Sequence, residues 1–186
     1  MTTVPDYAVR LSPHFTLAEM CATSRWEHAE RNVEIGAGHP YRENLTRLCE
    51  TILEPLRAHF GAPVLVSSGM RYAEQVDGRW RGLDVAIRTR GNVGYLPKSQ
   101  HTRGEAADIH VRGIDDRDVW EWIYHKCPNA FGQVIRETSG GSTWTHVSIP
   151  GWRVPERGGS LILGEVLDYT NGKYTRIDSV RRWGTM

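Results

Sequence analysis

The run Lys98–His110, KSQHTRGEAADIH, brings together residue types that bind metal ions. His101 offers an imidazole nitrogen, and Asp108, seven positions on, offers a carboxylate. Both are ligands that suit zinc. Gly104 between them allows a turn where a side chain would clash. Ala106–Val111 reads as a short strand. Alternate side chains of a strand face opposite ways, so Asp108 would look into a cleft while Ile109 anchors the strand in a core. Alone, this pair proves little, because an Asp can cap a turn and a His can sit on the surface. A second segment adds weight. Trp144–Ile149 alternates polar and apolar residues in the manner of a strand, with His146 on one face. Two His and one Asp make three protein ligands and leave a fourth tetrahedral position open, as in catalytic rather than structural zinc sites. The expected ligands are therefore His101, Asp108 and His146, and the expected cofactor is Zn2+.

Taken together, S-x-H-x-x-G-x-A-x-D at Ser99–Asp108 and W-x-H at Trp144–His146 resemble the zinc D-alanyl-D-alanine carboxypeptidase family. That family shares its fold with the hedgehog signalling domain and includes many bacteriophage endolysins. Upstream, Ser12–Met20 resembles the family's opening segment, Leu53–Arg57 its first long helix, and Val66–Arg71 its S-G-x-R strand end. The resemblance spans roughly residues 11 to 150, so 1–150 is expected to be the peptidase domain and 151–186 an extension. It implies an Arg at position 71 that binds a substrate carboxylate or carbonyl, a task suited to a planar guanidinium. Met70 stands where the family commonly has an aromatic. Many relatives carry the general base as a Glu three residues before the last His; here that position is Thr143, which cannot serve. The W-x-H branch has a Q-x-x-x-E strand instead, matched by Gln133 and Glu137. Glu137 is thus the expected base, with Arg71 beside it in catalysis. Ser99, Gln133 and Trp144 are expected on the substrate side, and Ser99 also as a hydrogen-bonding group beside the metal.

The resemblance implies a zinc-dependent peptidase of peptidoglycan stem peptides, of the D-Ala-D-Ala carboxypeptidase or L-Ala-D-Glu endopeptidase type. Its setting would be a phage endolysin or a virion-associated lysin. The competing expectation is a structural tail or baseplate component that keeps the fold. Its contacts with other virion proteins would lie in 72–97 and 151–186.

The elements that must position these residues are legible in part. Leu45, Leu48, Cys49, Ile52, Leu53, Leu56 and Phe60 recur at helical spacing, so 41–60 is expected to be a helix that Pro55 kinks and Gly61 and Pro63 end. Residues 16–22 predict a short helix with Thr16 as cap and Glu19 completing a capping box; 24–40 reads as loop or partial helix. Val64–Ser68 predicts a buried strand, and 115–126 a helix capped by Asp115 or Asp116. Phe131–Glu137 and Thr143–Ile149 predict a hairpin through a Gly-rich turn. Leu161–Leu167 and Lys173–Ile177 predict another through Asn171-Gly172. A lone hairpin is marginal in water, so this second one should pack on the domain or on another chain. Residues 72–97 are longer and richer in Arg and Gly than the family's linker, with a possible strand at 84–88. The fold class expected is α+β, a small antiparallel sheet with flanking helices.

Composition narrows the field. A net charge of +1 with no long basic run argues against nucleic acid. The N-terminus shows no secretory leader and no stretch reaches membrane-spanning length, so a soluble protein in the host cytoplasm until lysis, or in a virion, is expected. Three widely spaced cysteines predict buried, reduced thiols. Seven Trp could fill the core or line a glycan or peptide groove.

Overall fold

The computed structural model describes residues 8–24, 26–76, 79–82, 99–127, 129, 131–153, 160–162 and 164–179. Helix α1 (Leu17–Met20) carries the expected capping box. Glu19 N–H donates to Thr16 Oγ1 at 3.3 Å and Thr16 N–H to Glu19 Oε2 at 2.8 Å. Helix α2 (Ala29–Gly36) forms within the stretch read as loop or partial helix.

The 41–60 helix is continuous but not uniform. It runs as α3 (Tyr41–Leu48), a π-helical turn (Cys49–Leu53) and α4 (Glu54–Phe60). Pro55 has no N–H and its ring would strike the carbonyl four residues back, so the turn ahead of it widens. The Thr51 carbonyl, which Pro55 cannot serve, accepts instead from Asn129 Nδ2 at 2.8 Å. Most of the apolar stripe of this helix is fully buried, with Leu45, Leu48, Ile52, Leu53 and Leu56 all at 0% exposure, while Phe60 at its end is partly buried.

The strands are β1 (Val64–Ser68), β2 (Ala73–Val76), β3 (Arg79–Gly82), β4 (Ala106–Val111), β5 (Gln133–Ser139), β6 (Ser142–Ser148), β7 (Gly151–Arg153), β8 (Ser160–Ile162), β9 (Glu165–Thr170) and β10 (Lys173–Ser179). Helix α5 (Asp116–Lys126) follows β4 and is capped by Asp115, which accepts from Arg117 N–H at 2.8 Å. The main sheet has six strands in the order β1-β4-β6-β5-β9-β10. The fold is α+β as expected, but the sheet is larger than the small antiparallel one predicted, and β5 pairs with β9 in parallel. The reason is directional. β6 returns antiparallel to β5, the chain reverses again before Glu165, and β9 therefore runs the same way as β5. Gly164 N–H to Phe131 O and Glu165 N–H to Gly132 O, both 2.9 Å, start that pairing.

The C-terminal hairpin thus completes the main sheet, and its Val166 is fully buried in the core. Asn171 (φ 46°) and Gly172 (φ 96°) both adopt the positive φ that a tight two-residue hairpin turn needs. Within the 72–97 segment, β2 and β3 pair as a separate hairpin. The expected strand at 84–88 lies outside the described residues. One face of the sheet, bearing Ala107, Ile109, Val111, Val134, Val147 and Val166, packs against the helices. The opposite face carries Asp108 and His146. The three cysteines are free and buried, and burial pushes the Cys21 thiol up to about 12. Among the described residues, no helix is long and apolar enough to cross a membrane.

Candidate metal centre

Sheet register brings two of the three predicted ligands together. Asp108 on β4 lies directly opposite His146 on β6, and opposed residues of an antiparallel pair share a face. Ile109, one step on, points the other way and is fully buried, which anchors β4 as the alternation predicts. His101 is not on the strand. It sits on a 3-10 turn, His101–Arg103, that ends at Gly104 in the left-handed conformation (φ 68°). A Cβ there would lie 3.0 Å from the Tyr41 carbonyl, so both the φ and the close helix explain the glycine.

The three side chains converge. Asp108 Oδ1 is 2.9 Å from His146 Nδ1 and 3.3 Å from His101 Nε2, and the two imidazole nitrogens are 3.2 Å apart. All three residues are buried. Zinc at about 2.0–2.1 Å from tetrahedral N and O ligands would hold them roughly 3.3 Å from each other. The observed triangle is close to one face of such a tetrahedron.

Proton placement sharpens the fit. His101 Nδ1 is 2.8 Å from the Gly69 carbonyl, which can only accept, so Nδ1 carries the hydrogen. The neutral ring then turns the Nε2 lone pair inward. Burial, followed by the Arg71 charge, lowers the His101 pKa and keeps the ring neutral. Burial alone would raise the Asp108 pKa. The imidazoles and the Arg71 guanidinium outweigh it and hold the carboxyl well below its usual range. Two lone-pair atoms and His146 Nδ1 therefore face one point, and at most one hydrogen, on His146, can serve them. A cation satisfies all three at once. This is a donor set and geometry that fit zinc.

Partners behind the ligands fix them. Arg71 NH2 donates to Asp108 Oδ2 at 2.5 Å, Arg71 Nε to Ser68 Oγ at 2.8 Å, and Arg71 N–H to the His101 carbonyl at 3.2 Å. Arg71 is thus tied to both the Asp108 strand and the His101 turn. Gly69 was legible only as part of a motif; its contribution is a backbone carbonyl, which no side-chain pattern announces. Its close packing explains the residue type, since a Cβ at Gly69 would lie 2.0 Å from the Met20 carbonyl oxygen. Gly69→Ala is expected to push this segment away and misplace the acceptor that orients His101. Zinc affinity should fall roughly 10- to 100-fold, read by competition titration against a chelating dye, with a lower melting temperature alongside.

The other predicted residues distribute as follows. Glu137 lies opposite Trp144, and Ile135 lies opposite His146. Glu137 therefore shares the His146 face as its diagonal neighbour rather than its direct partner. Trp144 is half-buried on that face, its Nε1–H buried with no acceptor among the described residues. Ser99 is buried at the start of the His101 turn, where its carbonyl accepts from Thr102 Oγ1 at 2.7 Å. Gln133 is held by Glu165, which accepts from its Nε2 at 2.6 Å. Sequence reasoning missed Glu165, and also Ser148 and Gln100. Ser148 Oγ accepts from Gln100 Nε2 at 2.7 Å and from Gln133 N–H at 2.8 Å, joining the His101 turn to β5. A cavity of 480 Å³ beside Asp116, Arg136 and Thr143 belongs to the helix-covered face. Its charges are already engaged, Arg136 with Asp168 and Asp116 with His110, and it lies away from the ligand trio.

Fold and site together define an α+β protein with a buried two-His, one-Asp group able to hold a metal ion. Compared with protein-family models, with curated proteins and with solved structures, the chain matches none.

Proposed function

We propose that this chain is a zinc-dependent peptidase of peptidoglycan stem peptides, of the D-Ala-D-Ala carboxypeptidase or L-Ala-D-Glu endopeptidase type. Its setting is a phage endolysin or a virion-associated lysin. The observation that carries the reading is the meeting of His101 Nε2, Asp108 Oδ1 and His146 Nδ1 at one point on a sheet face. The chemistry a bound zinc supplies there is Lewis acidity, which polarises a carbonyl and acidifies water.

The chain's own residues do the rest. Gly69 O and Arg71 hold His101 and Asp108 in the orientation that aims their lone pairs inward. Glu137 takes a proton from the attacking water and returns it to the leaving amine nitrogen. Arg71, besides holding Asp108, brings positive charge to where a substrate carboxylate or a developing oxyanion sits. Trp144 and Gln133 line the same face and receive the peptide.

Mass spectrometry of muropeptides after digestion of purified cell wall, with and without chelator, tests the reading and names the bond. Chelator-sensitive cleavage of a stem peptide supports it. Intact muropeptides with fully zinc-loaded protein would favour the structural virion component. Glu137→Gln is expected to retain zinc at the wild-type level while turnover falls on the order of 10²- to 10⁴-fold. Elemental analysis run beside the digestion separates these outcomes, and undiminished turnover would move the base elsewhere.

A further inference from the structure

The face that carries the ligand trio continues past β5. Register places Trp144, Glu137, Tyr169 and Tyr174 in one row across β6, β5, β9 and β10. His146, Ile135, Leu167 and Arg176 form the next row on the same face. The outer half of both rows comes from the C-terminal hairpin. The Tyr169 and Tyr174 rings lie with centroids 4.6 Å apart and planes inclined by 47°, and Tyr174 is 56% exposed. Farther along the same face, polar groups are fixed in position. Glu165 accepts from Gln133 Nε2 at 2.6 Å and from Arg176 NH2 at 3.1 Å. A carboxylate can only accept, so Gln133 turns its amino group toward Glu165 and keeps its carbonyl oxygen for another donor.

We propose that the hairpin builds a carbohydrate subsite, in which Tyr169 and Tyr174 stack on sugar rings of the glycan strand that bears the stem peptide. This rests on the peptidase reading and names the part of the substrate that lies beyond the cleaved bond. A pyranose ring has apolar C–H faces and a rim of hydroxyl and N-acetyl groups. Here exposed aromatic surface has the Glu137 carboxylate on the strand next to Tyr169 and the Arg176 guanidinium two residues along β10 from Tyr174, with Glu165 and Gln133 farther along the same face. The core of a protein–protein interface is depleted of charge, whereas this face carries Glu137, Glu165 and Arg176. Spacing also fits. Strands lie about 4.8 Å apart, which puts Tyr169 about 10 Å and Tyr174 about 14 Å from the His146 strand. A peptide of three or four residues, at about 3.5 Å each, spans that distance.

The test titrates a β-1,4-linked N-acetylglucosamine oligomer into the full chain, zinc-loaded and chelator-treated, by calorimetry and by NMR of the tyrosine rings. Wild-type protein should bind saturably in both metal states. Tyr174→Ala should weaken binding by about fivefold or more, and Tyr174→Trp should retain it; an exposed residue leaves the fold intact in either variant. Absence of saturable binding, or equal binding by Tyr174→Ala, overturns the subsite. So does self-association in sedimentation that Tyr174→Ala abolishes, which would make this face a contact between copies of the chain. The oligomer contains no peptide bond. Sugar binding without peptide cleavage would therefore sink only the peptidase reading, and cleavage without sugar binding only the subsite.

Discussion

His101→Ala protein, purified beside the wild type and analysed for metal, is expected to carry almost no zinc where the wild type carries about one ion per chain. Three protein atoms define the site, and His101 Nε2 is held in place by a hydrogen bond from its own Nδ1–H to the Gly69 carbonyl. Alanine removes one of three anchors and leaves Gly69 O without its donor. Zinc binding to protein sites is worth on the order of 10 kcal/mol, and losing about a third of it weakens binding by two to three orders of magnitude. Undiminished zinc in this variant would refute the site. Acid acts in the same direction, since protons compete with the metal for imidazole nitrogen. Burial holds the His101 pKa below the ordinary imidazole value, so this competition at His101 sets in only below the usual range.

A second large effect is expected at Asp108, and it separates metal binding from folding. Its two oxygens do different work: Oδ1 faces the imidazoles and Oδ2 holds Arg71. Both partners of that ion pair are shielded, with side-chain exposures of 15% for Arg71 and 10% for Asp108. Asp108→Ala removes this shielded carboxylate from the guanidinium. Removing one member of a buried pair costs about 3–5 kcal/mol. For a chain of this size that lowers the melting temperature of the metal-free protein on the order of 10 °C. Asp108→Asn should behave differently. Its carbonyl oxygen can still accept from Arg71, and its amino group can donate toward His101 Nε2, so the fold survives. An amino group cannot bind a cation, so zinc is lost all the same. Thermal melts with chelator present, set beside metal analysis, check the pattern. Equal stability of the Ala and Asn variants would show that the Arg71 contact does not hold the site together.

Much of the site was legible because its signals are short-range. His101, Gly104 and Asp108 lie within one turn-and-strand unit, and the alternation of Ala106–Val111 decides which residues face the candidate metal site. The Thr16–Glu19 capping box and the Asn171-Gly172 turn were readable for the same reason, since each satisfies backbone groups only a few residues away. The π-helical turn was not, although Pro55 announced a disturbance. A proline states that a hydrogen bond is missing, but how the helix absorbs the loss depends on Asn129, 78 residues distant in sequence.

By itself the sequence determined the residue types able to bind a metal, their alternation, and the turns that let the chain fold back. The tertiary structure decided the rest. It set the register that puts His146 opposite Asp108 and Trp144 opposite Glu137. It recruited the Gly69 carbonyl to orient His101, and it added the C-terminal hairpin to the main sheet by a parallel pairing with β5. Local sequence encodes which face of a strand is polar. Which strand lies beside it is fixed only when buried surfaces from distant parts of the chain compete for the same neighbour, and that competition has no local signature.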